Sequence, residues 1–212
     1  MRWIAGSSSA GCWLGTTEPE KQRQFARMVK RSFVVFDLGA NVGHYSLLAS
    51  LLVGPDGRVF CFEPVQRNLA FLRKHIELNR LTNCTVWDAA VGRTEGVAAF
   101  DPDSTPFTGH LTEKRDGAVL VKSVALDKLV ASGELPPPDL IKCDIEGGEF
   151  DALSGASATL DKYGPAIFLA THSPEVHQKC CKLLTSLGYH LTSVDNAPIE
   201  ETRELVAVRQ SA

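Results

Sequence analysis

The chain has no surplus of positive charge, no long apolar run and no cysteine pair at metal-ligand spacing. Its 22 Lys and Arg residues stand against 25 Asp and Glu, a formal net charge of −3. The broad field that would draw duplex DNA or an anionic membrane surface is therefore missing. No stretch approaches the roughly 20 apolar residues of a membrane-spanning helix, because Asp37, Asn41 and His44 interrupt the longest candidate. Six cysteines in 212 residues are too dilute for a disulfide framework. Cys61 and Cys143 sit in strand-like apolar runs where thiols behave as small hydrophobes, and Cys180-Cys181 have no C-x-x-C partner, which argues against zinc. A reducing, cytoplasmic setting is the expectation. Ser9-Ala10-Gly11-Cys12 has the small residues of a lipoprotein cleavage site without a preceding apolar stretch, so it is not read as a processing signal. Two nucleotide signatures are also absent. Without G-x-G-x-x-G, NAD and FAD are disfavoured; without G-x-x-x-x-G-K-[ST], so is hydrolysis of ATP or GTP.

What is present is a regular alternation. Hydrophobic residues make up 44% and charged residues 22%, values of a soluble chain able to build one sizeable core. A first amphipathic helix spans Glu18 to Val29. Ser32–Leu38 reads as a strand buried on both faces, followed by a helix from Tyr45 to Val53. The unit repeats: strand Val59–Phe62, helix Asn68–Asn79, strand Thr85–Trp87. A looser excursion follows, in which two short β-prone segments, Val97–Phe100 and Ala118–Val124, flank a polar loop that contains Thr108-Gly109-His110. Strand Leu140–Cys143 then leads to a helix from Glu149 to Leu160, strand Ala166–Ala170, a helix from Pro174 to Leu187 and two β segments, Tyr189–Val194 and Leu205–Val208. Strands alternating with helices predict a single doubly wound, Rossmann-like α/β domain of about seven strands, the first four parallel, with a terminal antiparallel hairpin. Residues 1–31 are expected to be an N-terminal lid segment and helix, residues 32–212 the domain, and residues 92–138 a substrate-facing excursion. Asp127 is expected to cap a short helix inside it.

The chemistry concentrates at strand ends. Asp37-Leu38-Gly39-Ala40-Asn41-Val42-Gly43 lies between the first strand and its helix, with glycines where a ligand must touch backbone and a helix N-terminus behind them. Twenty residues after Gly43, Glu63 ends the second strand, where an acid accepts both hydrogen bonds of a ribose diol. Asp88 ends the third strand, within reach of an adenine amino group. Each piece alone has a plainer reading: the glycines a tight turn, Asp88 a helix cap. Together they describe a site for a ligand with ribose and adenine but no pyrophosphate, and S-adenosylmethionine fits.

Four segments, in an order and spacing that cover nearly the whole chain, resemble the FkbM-type family of class I S-adenosylmethionine-dependent methyltransferases. They are Gly11-Cys12-Trp13-Leu14-Gly15-Thr16-Thr17-Glu18, Phe36–Gly43, Phe62-Glu63-Pro64 and Ile141–Glu149. The resemblance implies that Asp37, Gly39, Asn41 and Gly43 surround the methionine moiety. His44, Pro64 and Ala89 join them at the cofactor edge, Glu63 holds the ribose, and Asp88 approaches the adenine. It also implies that Asp144, at the fourth strand's end, faces the transferring methyl. Where family members carry an acid at the end of the fifth strand, this chain has Thr171-His172.

Methyl transfer to a hydroxyl needs an aligned nucleophile and an acceptor for its proton, which makes Asp144, His172 and Glu146 the catalytic candidates. The plainer alternative for Asp144 and Glu146 is a strand end whose charges cap the next helix, with Lys142 paired to an acid; for His172 it is an exposed helix start. Glu149 is read as helix-stabilising charge in a first turn. His110 and His177 are read as surface residues. A hard cation such as Mg2+ on Asp144 with Glu146 or His172 is compatible with oxygen ligands. Trp13 and Glu18 are either a packing anchor or part of a lid excluding water, the lid being preferred. The expected acceptor is a hydroxyl on a small molecule, natural product or sugar, chosen by the loop from Asp101 to Asp116 with Phe107, Thr108 and His110. An RNA acceptor and a non-catalytic adenosine-ligand-binding module are the alternatives.

Overall fold

The first buried run becomes strand β1 (Val34–Leu38), and its alternation decides which layers cover it. Val35 points into one apolar cluster and Phe36 and Leu38 into the other, so both faces of the strand need helices. The computed structural model describes residues 1–8, 18–101, 110–112 and 119–209. Helix α1 (Pro19–Met28) precedes β1; α2 (His44–Val53), β2 (Arg58–Phe62), α3 (Gln66–Leu78) and β3 (Cys84–Trp87) follow it. Then come β4 (Ala90–Val91), β5 (Gly96–Asp101), β6 (His110–Thr112), β7 (Val119–Val124) and α4 (Leu126–Ala131). The chain continues through β8 (Leu140–Cys143), α5 (Glu149–Ser154), α6 (Ser157–Tyr163), β9 (Ala166–Ala170), α7 (Pro174–Ser186), β10 (Tyr189–Ser193) and β11 (Glu204–Arg209).

The main sheet has seven strands in the order β10-β11-β9-β8-β1-β2-β3. Five neighbours, from β9 to β3, run parallel, one more than the sequence predicts. β11 is antiparallel to both β9 and β10 and is inserted between them, so the terminal hairpin returns into the sheet rather than extending its edge. Residues of α1, α2 and α3, among them Phe25, Ala49 and Leu72, cover the face of Val35, Val59, Leu140 and Phe168. Residues of α4 to α7 cover the face of Phe36, Phe60, Ile141 and Leu169. Among the described residues no helix is long and apolar enough to cross a membrane.

Three local expectations are corrected. The excursion after β3 holds the two expected β segments as β5 and β7, within a four-stranded sheet β4-β7-β5-β6 of its own, but His110 belongs to a strand rather than to the loop between them. Residues 102–109 and 113–118, including Phe107 and Thr108 of the expected acceptor loop, lie outside the described residues, as does Trp13. The single helix expected from Glu149 to Leu160 is two. Gly155 breaks it, because the Gly92 carbonyl passes so close that a Cβ on Gly155 would stand 2.2 Å from its oxygen, while the Gly155 carbonyl accepts from Asp127 N at 2.8 Å. Asp127 is a cap, but not of its own helix: its carboxylate accepts from Ala158 N (2.9 Å) and Thr159 N (2.7 Å) at the start of α6.

The Gly155 break yields a test against helix propensity. Gly155→Ala favours a continuous helix by about 1 kcal/mol on propensity alone. The clash with the Gly92 backbone should reverse the sign and destabilise the protein by about 1–3 kcal/mol. Urea denaturation checks this, and a variant as stable as wild type would mean that the junction yields freely.

Candidate active site

The carboxyl ends of the parallel strands bring the predicted residues to one edge, and the glycine turn is the first part built. Gly39 N and Ala40 N both donate to Phe62 O, at 3.0 and 2.9 Å, which ties the turn to β2. Gly39 has φ +77°, and a Cβ there would sit 2.0 Å from the Asp144 carbonyl oxygen, so the turn touches the end of β8 through bare backbone. Asn41 is also left-handed, at φ 50°, and its side chain accepts from Val42 N at 2.7 Å. Gly43 starts α2, where a Cβ would stand 2.7 Å from the Leu72 side chain.

Glu63 is 4% exposed and braces this turn from below. One carboxylate oxygen accepts from Asn41 N at 2.8 Å, the other from Val65 N at 2.9 Å and Asn68 Nδ2 at 3.3 Å. Burial pushes its pKa up, against the pull of those donors and of Lys142. Three of the carboxylate's roughly four acceptor sites are thus taken, and the remaining one, on the oxygen that meets Asn41 N, is open to a ribose hydroxyl. Pro64, half-buried, follows it. Asp88 is at the surface, held by Gln66 Nε2 at 2.8 Å and near Arg73 at 3.9 Å. Ala89 is buried against the core. His44 opens α2; burial lowers its pKa, and its buried Nδ1 has no hydrogen-bond partner among the described residues. Trp3 lies edge-on to it at 6.1 Å and stacks on the buried His75 at 4.0 Å, whose Nδ1 faces Val42 O at 2.7 Å. The N-terminal residues thus pack beside the glycine turn.

Asp37 is 1% exposed and engaged on both sides: one oxygen accepts from Ser46 Oγ at 2.6 Å, and the other is 3.2 Å from Lys142 Nζ. Lys142, in β8, also donates to Gly39 O at 2.9 Å and stands 3.8 Å from Asp144. Burial alone would lower the pKa of this ammonium, but the charges of Asp37 and Asp144 outweigh it and the net shift is upward.

Asp144, Glu146 and His172 do meet, through a residue read from sequence as helix charge. Glu149 is fully buried; one oxygen accepts from Ile145 N (3.3 Å) and Gly147 N (2.9 Å) and contacts His172 Nδ1 at 2.8 Å, while the other has no hydrogen-bond partner. The far nitrogen of that imidazole, Nε2, then faces Asp144 at 3.5 Å and Glu146 at 3.4 Å. The hydrogen bond to Glu149 is the largest cause that lifts the His172 pKa to about 9, over the opposing effect of burial. At neutral pH the imidazole therefore carries its proton, and the carboxylates are the proton acceptors of the group. His177 is buried rather than exposed, bonded to Thr171 Oγ1 (3.0 Å) and Ile199 O (2.6 Å), a satisfied core histidine.

The donor atoms of Asp144, Glu146 and His172 lie within 4.8 Å of one another, and a cation there would have to displace the Nε2 proton of His172. Two oxygens and an imidazole nitrogen are a poor set for Mg2+, which prefers oxygen ligands, and better suited to a transition ion.

Comparison with known proteins gives consistent results. A family model described as the methyltransferase FkbM domain matches residues 37–191. The chain is 30% identical over 129 residues to the hexuronic acid methyltransferase AglP of Haloferax volcanii, covering 60% of this chain and 51% of that protein. It is 26% identical over 166 residues to the 2-O-methyltransferase NoeI of Sinorhizobium fredii, covering 69% of this chain and 67% of that protein. The chain thus spans about half the length of the first relative. Among solved structures, the methyltransferase FkbM of Methylobacillus flagellatus superposes with TM-score 0.59 at 18% identity, over 98% of this chain and 56% of that one. A precorrin-6y C5,15-methyltransferase of Geobacter metallireducens gives 0.60 at 16% identity, over 99% and 94%. These structural likenesses carry the fold.

A folded-state pKa above the unfolded value of about 6.5 contributes stability that is complete below pH 6.5 and is lost as pH rises through about 9. The His172 ring should accordingly titrate near 9 by NMR, and Glu149→Gln should move the midpoint down towards 6.5. A wild-type midpoint below 7 would mean that the Glu149 contact does not form in solution.

Proposed function

Because the chain belongs to the FkbM-type methyltransferase family, we propose that it transfers the methyl group of S-adenosylmethionine to a hydroxyl oxygen of a sugar or other small polyhydroxylated acceptor. The observation that carries this reading is the position of Asp144. It stands where the glycine turn of β1 touches the end of β8, 3.8 Å from the lysine that fixes Asp37, and faces the His172 group on its other side.

In this reading the sulfonium lies along the turn of Asp37, Gly39, Asn41, Gly43 and His44. Its ribose lies on Glu63 beside Pro64, and its adenine towards Asp88 and Ala89. The acceptor oxygen attacks the methyl carbon in line as the carbon–sulfur bond breaks, and the bonding pair stays on sulfur as a neutral thioether. The hydroxyl proton passes to the carboxylate of Asp144 or Glu146, whose negative charge the protonated His172 steadies. The poor fit of the donor set to Mg2+ leaves no step that needs it. A polyanionic RNA acceptor suits this edge badly, since Glu18, Asp144 and Glu204 all line the recess beside it.

The cofactor half is tested by calorimetry with S-adenosylhomocysteine. Glu63→Gln replaces one acceptor oxygen by an amide donor opposite a backbone N–H and should weaken binding by about 1–3 kcal/mol. Binding of NAD with no response to S-adenosylhomocysteine would refute the cofactor. The catalytic half is tested by Asp144→Asn, which should cut turnover on a competent acceptor about 100-fold or more with little change in cofactor affinity.

A further inference from the structure

β11 is the reversed strand beside β9, so its first residue, not its last, arrives at the catalytic edge of the sheet. Glu204 pairs in register with Ala170 at the end of β9. By strand alternation it lies on the face shared by Phe168, Val206 and Lys142, under α1 and the start of α2. There it helps line a recess with Glu18, Lys21, Tyr45, Asp144 and Phe168. The recess lies across Asp144 from Glu63 and the strands that carry the cofactor residues, because β9 and β11 flank β8 on the side away from β2 and β3.

Its chemistry is specific. Lys21 makes ion pairs with both Glu18 and Glu204, and its side chain is only 24% exposed. Burial would lower the Lys21 pKa, but the bonds to the two carboxylates outweigh it. The half-buried Tyr45 ring, backed by the buried Phe168 ring 6.2 Å away, forms the apolar wall. The carboxylates of Glu18, Asp144 and Glu204 outnumber the ammonium groups of Lys21 and Lys142, and Lys142 is already engaged with Asp37.

The recess encloses only about 10 Å³, the space of a single water, so a ring can meet it only across its mouth. We propose that the acceptor ring docks over this mouth, which selects an uncharged, hydroxyl-rich ring over an acidic one, with Lys21 and Glu204 as its specificity residues. Carboxylates accept from sugar hydroxyls, the ammonium donates to a ring or hydroxyl oxygen, and the aromatic wall meets the C–H face of a pyranose. On docking, the ring's hydroxyls take the place of part of the contacts that Lys21 makes with Glu18 and Glu204. An acidic ring meets surplus negative charge and a lysine whose charge two carboxylates already balance, and like charges brought together in a half-buried site are costly. The proposal rests on the methyl-transfer reading only in naming the ring as acceptor.

Ligand-observed NMR on the full chain with S-adenosylhomocysteine tests it, with methyl β-glucopyranoside and methyl β-glucuronide as probes. The glucoside should bind with saturation, and the glucuronide about tenfold more weakly or worse, a difference of about 1.4 kcal/mol. Glu204→Gln keeps the side-chain volume, removes one of the two anions on Lys21 and should close most of that gap by strengthening glucuronide binding. Glu18→Gln, on the more exposed partner, should move the ratio the same way and serves if the first variant melts early. Equal or tighter glucuronide binding to wild type, a ratio unmoved by both variants, or no binding of either probe overturns the proposal. Should the ratio respond as expected while no methyl is transferred from S-adenosylmethionine to any hydroxylated acceptor, the recess stands and the reaction assigned to it falls. Methyl transfer whose acceptor preference ignores both variants does the reverse.

Discussion

A single buried ammonium holds the site together. Lys142 is enclosed by the sheet, and an ammonium there is tolerable only if every contact is polar and well placed. Asp37 supplies the charge, Gly39 and Leu38 supply carbonyls, and Asp144 lies 3.8 Å away. These partners belong to two adjacent parallel strands and the turn that leaves one of them, so the ammonium fixes the end of β1 relative to the end of β8. Gly39 follows as a consequence. Drawn to Lys142, the turn comes so near the Asp144 carbonyl that no side chain fits at that position. Buried ion pairs add little net stability, and a role in fixing geometry accounts better for this one.

The segment after β8 obeys the same logic with different parts. Glu146 at φ 56° and Gly147 at φ 105° form two successive left-handed residues, a conformation a chain keeps only where its neighbours enforce it. Glu149 is the enforcer: the oxygen that takes the Ile145 and Gly147 amides also orients His172. Asp144, Glu146 and Glu149 are therefore one device. The two left-handed residues turn the chain back so that Asp144 and Glu146 can approach the imidazole from one side while Glu149 holds it from the other.

The legible features were those encoded by neighbours in sequence. Phe33-Val34-Val35-Phe36 could only be a strand covered on both faces, and glycines at 39 and 43 between such a strand and a helix could only make a backbone-lined turn. Asp37, Glu63 and Asp88 fell at strand ends because strand ends were visible. Features set by distant contacts were not legible. The break at Gly155 depends on the Gly92 carbonyl, the capping by Asp127 on a helix that starts 30 residues later, and the burial of His177 on the Ile199 carbonyl. Glu149 was misread for the same reason. A glutamate in a first helical turn is ordinary; only its burial against an imidazole 23 residues away gives it a second task, and the one sequence signal was its place in Lys142-x-Asp144-x-Glu146-Gly147-x-Glu149.

Lys21 and Glu204 show the same limit at longer range and explain how the two halves of the edge differ. The turn and Glu63 are built from consecutive βα units, each delivering the last residue of a strand to the same place, so a parallel sheet fills that side of the edge by repetition. The other side has no such rule. Its acid comes from the first residue of a strand that runs backwards, and its cation from a helix that precedes the sheet altogether. Asp144 touches both halves and is constrained by the regular one through Lys142, whereas the Lys21 ammonium pairs with the carboxylates of Glu18 and Glu204. Neither Lys21 nor Glu204 belongs to the network of Lys142, Asp37 and Gly39 that fixes the glycine turn, so the chemistry of the recess and the geometry of the turn are set by different residues.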